Sequence, residues 1–307
     1  MWNRNLSVVY VTRPIQYLNV INIPELESKC ILLLENSFSG FDQILHIAKK
    51  DQRWTKIITV NNYKEVMCWL LFHQHKFSKY YTFTDNGISW QIVYNFLLGV
   101  DVILYEEGAA TYMTRKLTGQ NKFLYSILNP VKIADTVYLG YCRKIKKIYV
   151  YDPELHLKAI GCHKQVFTFR EPFFHFSKTR NLAAFYYPDF HKFKGMKILL
   201  YITSWDYNDQ ILPIIDKYAD YCKILKPHPH FEGNKDIQNI FDEIIDSTCL
   251  AEFLISDLMS VCADLIIIHQ CSTCILHLAE SNNVKILNLT SKYSSYSSYL
   301  KLLSLRS

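Results

Sequence analysis

Short apolar runs alternate along the chain with segments in which apolar residues recur at helical spacing. The segments 63–75 and 87–99 have the period of amphipathic helices. They separate runs rich in β-branched and aromatic residues, which predict strands at 7–11, 30–35, 56–60, 80–84 and 101–105. Buried strands that alternate with helices are typical of a parallel sheet covered by helices on both faces.

The same alternation starts again in the second half. Strands are predicted at 196–203, 221–225, 264–270 and 284–289, and helices around 208–219, 234–245, 249–260 and 272–281. The region 115–195 is aromatic-rich and less regular, with one strand-like run at 147–152, and suits a domain connector.

We therefore predict an α/β fold with two Rossmann-like, doubly wound domains that face each other across a cleft. The first domain is expected at 1–180 and the second at 181–307. A final helix near 296–304 is expected to pack back on a domain, with membrane contact as the alternative.

Composition narrows the function classes. Of the 307 residues, 50% are hydrophobic and 20% are charged, which is ordinary for a globular protein. The net charge of +6 suits an anionic small ligand or an anionic membrane surface, and it is too small and too scattered to indicate nucleic acid. Nine irregularly spaced cysteines suit a reducing compartment. The sequence has neither a signal-peptide pattern nor a membrane-spanning run, so we expect a cytoplasmic protein.

Polar residues follow two predicted strands in each half. In the first half these residues are 12–19 and Glu106-Glu107-Gly108. A carboxylate with a raised pKa in the second of these segments suits a general base, and the alternative is two solvated acids. In the second half, the segment Lys226-Pro227-His228-Pro229-His230 is a stiff loop after a strand. Its cations suit a phosphate, and a solvated surface loop is the alternative.

The segment "HQCSTC" at 269–274 follows the other strand. Ser272 and Thr273 are expected at a helix N-terminus, where they either help to bind an anion or cap the helix. Cys271 and Cys274 form a C-x-x-C, which suits a redox pair or a zinc site, but we expect these cysteines to pack as small apolar residues and predict no metal. Ser204 either touches a nucleotide or caps the next helix.

Taken together, these motifs resemble those of the bacterial sialyltransferases. The matching residues are Glu106-Glu107-Gly108, His228-Pro229 and Ser272-Thr273, in the order in which that group has its acidic, His-Pro and Ser/Thr motifs. The opening "VVYVTRPIQYLN" also looks like the start of glycosyltransferase family 52 and of the related polysialyltransferases.

The resemblance implies a GT-B fold and inverting, metal-independent transfer of sialic acid from CMP-sialic acid to a sugar hydroxyl. It implies that Glu107 is the general base and that His228, with Lys226 and Pro229 beside it, binds the CMP phosphate. The remaining implied substrate contacts are made by Gln16, Asn19, Glu106, Gly108, Ser204, Ser272 and Thr273. The sequence departs from the group in having Glu, where Asp is common, at 107.

The expected partners are CMP-sialic acid, with no further cofactor, and a lipid-linked or lipooligosaccharide glycan acceptor, with a galactose terminus expected. We expect peripheral contact with the inner membrane and no binding of nucleic acid. The sequence does not decide whether the protein forms a homodimer. The alternatives are a Kdo transferase, a sugar-nucleotide epimerase of the same architecture, and a non-catalytic nucleotide-sugar-binding protein with two lobes.

Overall fold

The computed structural model divides the chain into two compact units. Unit 1 contains residues 1–172 and 301–307, and unit 2 contains residues 173–300. The predicted boundary at 180 lies outside the described residues, which are 6–26, 29–117, 119–129, 135–161, 164–173, 189–204, 207–229, 231, 239–278, 281–290 and 296–306.

Unit 1 is built on a seven-stranded sheet in which every neighbouring pair is parallel. The strand order is β3-β2-β1-β4-β5-β8-β9. The strands are β1 Leu6–Val11, β2 Cys30–Glu35, β3 Trp54–Val60, β4 Phe77–Thr82, β5 Asp101–Tyr105, β8 Ile145–Val150 and β9 Gln165–Thr168. Two further short strands, β6 Thr114–Lys116 and β7 Thr136–Tyr138, form an antiparallel pair.

The helices of unit 1 connect these strands. They are α1 Pro14–Ile21, α2 Phe41–Lys50, α3 Tyr63–His73, α4 Ile88–Phe96, α5 Gly119–Leu128 and α6 Pro153–Ile160. Local signals set several of their N-termini. Pro14 begins α1 and Pro153 begins α6, where a missing N–H has no cost. The Asn62 side chain caps α3 by accepting from two backbone N–H groups.

Unit 2 repeats the arrangement with a five-stranded parallel sheet in the order β12-β11-β10-β13-β14. The strands are β10 Lys197–Ile202, β11 Cys222–Lys226, β12 Glu243–Ile244, β13 Asp264–His269 and β14 Val284–Asn288. The described helices of this unit are α7 Leu212–Lys217 and α8 Ala251–Val261. The last helix, α9 Tyr296–Arg306, begins within the residues of unit 2 and ends within those of unit 1. None of the helices in the described ranges has the length and apolarity needed to cross a membrane.

The central strands of both sheets form the cores. Four consecutive residues of β1, from Val8 to Val11, are almost fully buried, and so are those of β10 from Ile198 to Tyr201. In both sheets, the first five strands along the chain lie side by side in the order third, second, first, fourth, fifth. This order is the Rossmann arrangement. The predicted α/β class with two Rossmann-like units is confirmed, and in each unit the strands end at one edge where loop residues gather.

Several predicted elements differ from those observed. The segment 12–19, treated as a loop, contains α1, because Pro14 occupies a helix start. The region 145–168, treated as part of a connector, completes the sheet of unit 1 with β8, α6 and β9. The helix predicted near 234–245 is wrong at its end, where Glu243–Ile244 is a strand; residues 232–238 lie outside the described part of the chain.

Candidate active site

The acidic pair lies at the carboxyl end of β5, and its two side chains have different environments. Glu106 is 2% exposed. Its carboxylate accepts hydrogen bonds from the Tyr112 hydroxyl at 2.6 Å and from the Tyr151 backbone N–H at 2.9 Å. These bonds join the end of β5 to the segment after β8. Glu106 therefore holds the strand ends together, and its predicted contact with substrate stays a prediction.

Glu107 faces the opposite way, as expected for consecutive residues of an extended segment. Its side chain is 22% exposed, and its carboxylate lies 3.8 Å from the guanidinium of Arg13. Burial raises the pKa of the Glu107 carboxyl, and the nearby Arg13 cation opposes that rise. The pKa is thus raised by lost hydration rather than by repulsion from Glu106. A recessed carboxylate of this kind is a stronger base than a hydrated one.

A tight turn fixes the direction of Glu107. Gly108 has φ of 130° and ψ of −147°, a conformation that is nearly restricted to glycine. It is followed by the 3-10 helix Ala109–Tyr112, in which the buried Thr111 accepts a hydrogen bond from the Glu107 N–H at 2.9 Å. Gly108 therefore forms a sharp turn that holds the backbone of Glu107.

Helix α1 places Gln16 and Asn19 in the interior beside this turn. The Asn19 side chain donates to the Glu106 carbonyl at 2.8 Å and accepts from the Tyr151 hydroxyl at 2.9 Å. Gln16 accepts from the backbone N–H of Thr12 at 2.8 Å. Its Nε2 is buried and has no hydrogen-bond partner among the described residues. Of the two amides predicted to contact substrate, Asn19 is thus bonded through both its side-chain nitrogen and its oxygen, whereas the Gln16 nitrogen is unbonded within the described part of the chain.

Sequence reasoning missed His156, which lies on α6 and is fully buried. Its ring meets the edge of Tyr112 at 5.9 Å between centroids, and Tyr112 in turn holds Glu106. Burial lowers the pKa of His156 to about 4, so the imidazole is neutral at physiological pH. The sequence offered no local signal for this residue, because its neighbours are about 45 positions away along the chain.

In unit 2, the His-Pro segment leaves the end of β11 and is held by the neighbouring strand β10. The His228 N–H donates to the Thr203 hydroxyl at 2.9 Å, and the Thr203 N–H donates to the Lys226 carbonyl at 3.1 Å. A further bond from the Phe231 N–H to the His228 carbonyl, at 2.9 Å, closes a turn with Pro229 at its second position. Thr203, absent from the predicted site, therefore orients His228.

Lys226 is buried, with an exposed fraction of 3%, rather than displayed on the surface. Its ammonium donates to the carbonyl of Pro227 at 2.7 Å and to that of Ser247 at 3.2 Å. Burial lowers the pKa of Lys226, which stays surrounded by these carbonyls and by the more distant Asp246 and Glu252. In this arrangement the lysine ties two loops together, and its contact with a phosphate remains a prediction.

Two more predicted residues lie at the ends of β10 and β13. Ser204 follows β10 and donates its hydroxyl to the Gln270 side chain at 2.7 Å, which joins the two strand ends. His228, Ser204 and Gln270 thus follow three adjacent strands of one sheet. A partly exposed imidazole at such an edge suits a phosphate.

The helix predicted at 272–281 is wrong. Over the described residues of that range, 272–278 and 281, the one helical element is the three-residue 3-10 helix Thr273–Ile275, and the Ser272 side chain makes no capping hydrogen bond. Cys271, with φ of 52°, turns the chain sharply just before this segment. The argument that a helix dipole attracts an anion here therefore fails, although the hydroxyls of Ser272 and Thr273 remain at the strand edge.

The C-x-x-C cysteines are both free, and the Cys274 Sγ lies 2.9 Å from the Ser272 hydroxyl. The adjacent His269 is fully buried, and its Nδ1 accepts from the Ser272 N–H at 3.3 Å. Burial lowers the pKa of His269 to about 4. Within the described residues, no group of three or more His, Cys, Asp or Glu is placed to hold a metal ion.

Comparison with protein-family models gives no match, and comparison with curated proteins gives none either. Solved structures do match. An α/β-galactoside α-2,3-sialyltransferase from Photobacterium phosphoreum aligns with 12% identity and a TM-score of 0.61, over 99% of this chain and 95% of that one. A glycosyltransferase from Rickettsia africae aligns with 10% identity and a TM-score of 0.50, over 99% and 89%. At such low identity the likeness bears on the fold, and it confirms the predicted GT-B fold class with two Rossmann-like units.

Proposed function

We propose that this protein is a glycosyltransferase that moves a sugar from a nucleotide-activated donor to a hydroxyl of an acceptor glycan. The observation that carries the proposal is Glu107, a recessed carboxylate with a raised pKa at the carboxyl end of a central strand. A carboxylate in that position suits the removal of one proton from a bound hydroxyl. The fold likeness to two glycosyltransferase structures supports the same class.

Within this class, the proposed reaction is sialyl transfer from CMP-sialic acid to a galactose-terminated glycan of the bacterial surface. It is supported by the ordered acidic, His-Pro and Ser/Thr motifs and by the fold of the Photobacterium phosphoreum sialyltransferase. The proposed acceptor is a lipid-linked or lipooligosaccharide chain, and the reaction is proposed to be inverting and independent of metal.

The proposed chemistry uses one group from each unit. Glu107 takes the proton of the acceptor hydroxyl. At the same time, the oxygen of that hydroxyl forms a bond to the anomeric carbon of the donor sugar. The bond from that carbon to the phosphate oxygen breaks, and CMP departs with the electron pair. The His228 imidazole stabilises the charge on the departing phosphate. The Ser272 and Thr273 hydroxyls are proposed as further hydrogen-bond donors to it.

The test is incubation of the purified protein with CMP-sialic acid and a panel of galactose-terminated acceptors, followed by mass spectrometry. We expect an acceptor product that has gained one sialyl residue. A parallel series with CMP-Kdo distinguishes the Kdo transferase, and a series without acceptor distinguishes an epimerase, which would alter the donor alone. If no acceptor gains sialic acid but another sugar is transferred, glycosyl transfer stands and sialyl transfer fails.

A further inference from the structure

The outer layer of helices on unit 1 carries large apolar side chains that face solvent. Among the exposed large hydrophobic residues, five come from α3, the end of α4 and α5. We call them the apolar face: Phe72, Phe96, Leu98, Phe123 and Ile127, with exposed fractions of 77%, 63%, 69%, 66% and 59%. Single exposed apolar residues are normal on proteins, but a group of this size on adjacent helices marks an interaction surface.

The contacts between these helices hold the members of the apolar face next to one another. Helix α4 packs against both α3 and α5. The Leu98 N–H donates to the Gln74 side chain at 2.8 Å, which joins the end of α4 to the segment just after Phe72. The Asn95 side chain donates to the Leu128 carbonyl at 3.4 Å, next to Ile127. The residues therefore form one surface across the three helix ends.

Basic side chains border this surface. The Arg143 guanidinium donates to Asn95 at 2.6 Å, and the Lys144 ammonium donates to the Leu97 carbonyl at 3.2 Å, so both cations are held beside the end of α4. Lys76 is exposed just after Phe72. The nearby acidic residues are Asp101 and Asp135, and Asp135 is already paired with Lys122 at 2.5 Å.

We propose that the apolar face is a docking surface for an anionic lipid membrane. Exposed aromatic and aliphatic side chains supply insertion into the interface, and the bordering cations supply attraction to anionic headgroups. The two signals together are what reversible membrane binding requires. This border of positive charge favours a membrane over a second copy of the chain, whose apolar face would bring like charges together.

Glu107 lies at the carboxyl end of β5, whereas the apolar face adjoins the segment that enters β5 at its amino end. The length of that strand, about 16 Å, separates them. Binding to vesicles can therefore be measured without donor or acceptor, and the inference does not depend on the proposed function.

The test is sedimentation of the full-length protein with sucrose-loaded vesicles of phosphatidylcholine, with and without phosphatidylglycerol. We expect binding that requires phosphatidylglycerol and weakens at high salt. The double substitution Phe96→Ser with Leu98→Ser is expected to lower the partition coefficient at least about tenfold. Lys76→Gln and Arg143→Gln should each lower it roughly fivefold at low salt.

The matched control is Leu157→Ser, because Leu157 is also 59% exposed on unit 1 but lies on α6. It is expected to bind vesicles like the unchanged protein. Thermal unfolding of each variant checks that the fold is kept. Equal vesicle binding by the double variant and the unchanged protein overturns the proposal. A second copy of the chain would be the occupant instead if the unchanged protein does not bind vesicles, light scattering shows that it is a dimer, and only the double variant loses that dimer.

Discussion

Two neighbouring glutamates illustrate how local geometry gives one residue type two roles. Glu106 is turned inward and receives hydrogen bonds from Tyr112 and Tyr151, so its carboxylate is committed to the structure. Glu107 has lost hydration, and the Arg13 guanidinium lies 3.8 Å from its carboxylate. Basicity therefore concentrates on Glu107, although the sequence presents the pair symmetrically.

The first prediction concerns Glu107→Gln, which keeps the size of the side chain and removes its basicity. Under the proposed mechanism kcat should fall about 10²- to 10⁴-fold, as is usual when a general base is lost. CMP binding, measured by calorimetry, should change little because the phosphate site belongs to unit 2. Glu106→Gln serves as the comparison and is expected to lower stability first. Unchanged turnover in Glu107→Gln would remove the general-base role.

The second prediction concerns Arg13→Gln. Arg13 opposes the rise in the pKa of Glu107, so its removal should raise that pKa further. The acidic limb of the pH profile of kcat should then move to higher pH. Because the Arg13 side chain is 63% exposed, solvent screens the interaction and the shift is expected to be small. A limb that moves to lower pH, or does not move, contradicts the assignment.

The third prediction tests Thr203 as a positioning residue for His228. Thr203→Val removes the oxygen that accepts the His228 N–H, whereas Thr203→Ser keeps it. We expect the valine variant to lose about tenfold or more in kcat, since a buried N–H left without a partner costs about 1–3 kcal/mol and displaces the loop. The serine variant should recover most of the activity. A loss in the serine variant with full activity in the valine variant would indicate a packing effect of the methyl group instead.

At the scale of elements, the turn at Gly108 connects backbone geometry to chemistry. Gly108→Ala places a Cβ at φ of 130°, so we expect a loss of about 1–3 kcal/mol of stability and a displaced Glu107. Gly161→Ala is the control, because Gly161 also has positive φ, at 63°, but ends α6. Both variants should unfold at lower urea concentration, and only Gly108→Ala should also lower kcat. If kcat is the same in the two variants, the turn at Gly108 has no role in the reaction.

The elements also show what a single sequence can and cannot predict. Buried strands such as β2 and β13 were found because continuous apolar runs have few other uses. Helix α1 was missed because its polar residues, Gln16 and Asn19, are buried, so no amphipathic pattern marks it. After Ser272 the chain forms the 3-10 helix Thr273–Ile275, although Ser and Thr are favoured at helix N-termini, so a capping residue type does not by itself establish a helix.

The candidate site likewise has residues that the sequence predicts and residues that it does not. Motif residues at strand ends could be predicted, because parallel strands place their carboxyl ends at one edge. The groups that orient them could not, because their contacts join distant segments. Thr203 meets His228 across two strands, and Asn19 meets Glu106 across 87 positions. Only the folded sheet brings such pairs together.

For the whole molecule, the described part of each unit holds one fully buried, neutral histidine: His156 in unit 1 and His269 in unit 2. Burial lowers the pKa of each to about 4 in the folded state, against about 6.5 in an unfolded chain. Between these values the unfolded chain binds more protons, so stability falls as pH drops from about 6.5 to about 4. Each histidine is expected to account for about 3 kcal/mol of that loss.

The two units can be followed separately, since four of the five tryptophans lie in unit 1 and the fifth is Trp205. In a Trp205→Phe background, tryptophan fluorescence during urea unfolding therefore reports unit 1. In this Trp205→Phe background, His156→Gln should make the unfolding free energy fall less between pH 6.5 and pH 4, because the neutral amide takes up no proton. His269→Asn, which keeps an acceptor for the Ser272 N–H, should leave that slope unchanged. Because Asp85 and Glu107 have raised pKa values that act in the opposite direction, the difference between variant and parent is the decisive quantity. Parallel curves for His156→Gln and its parent would show that His156 does not make unit 1 sensitive to acid.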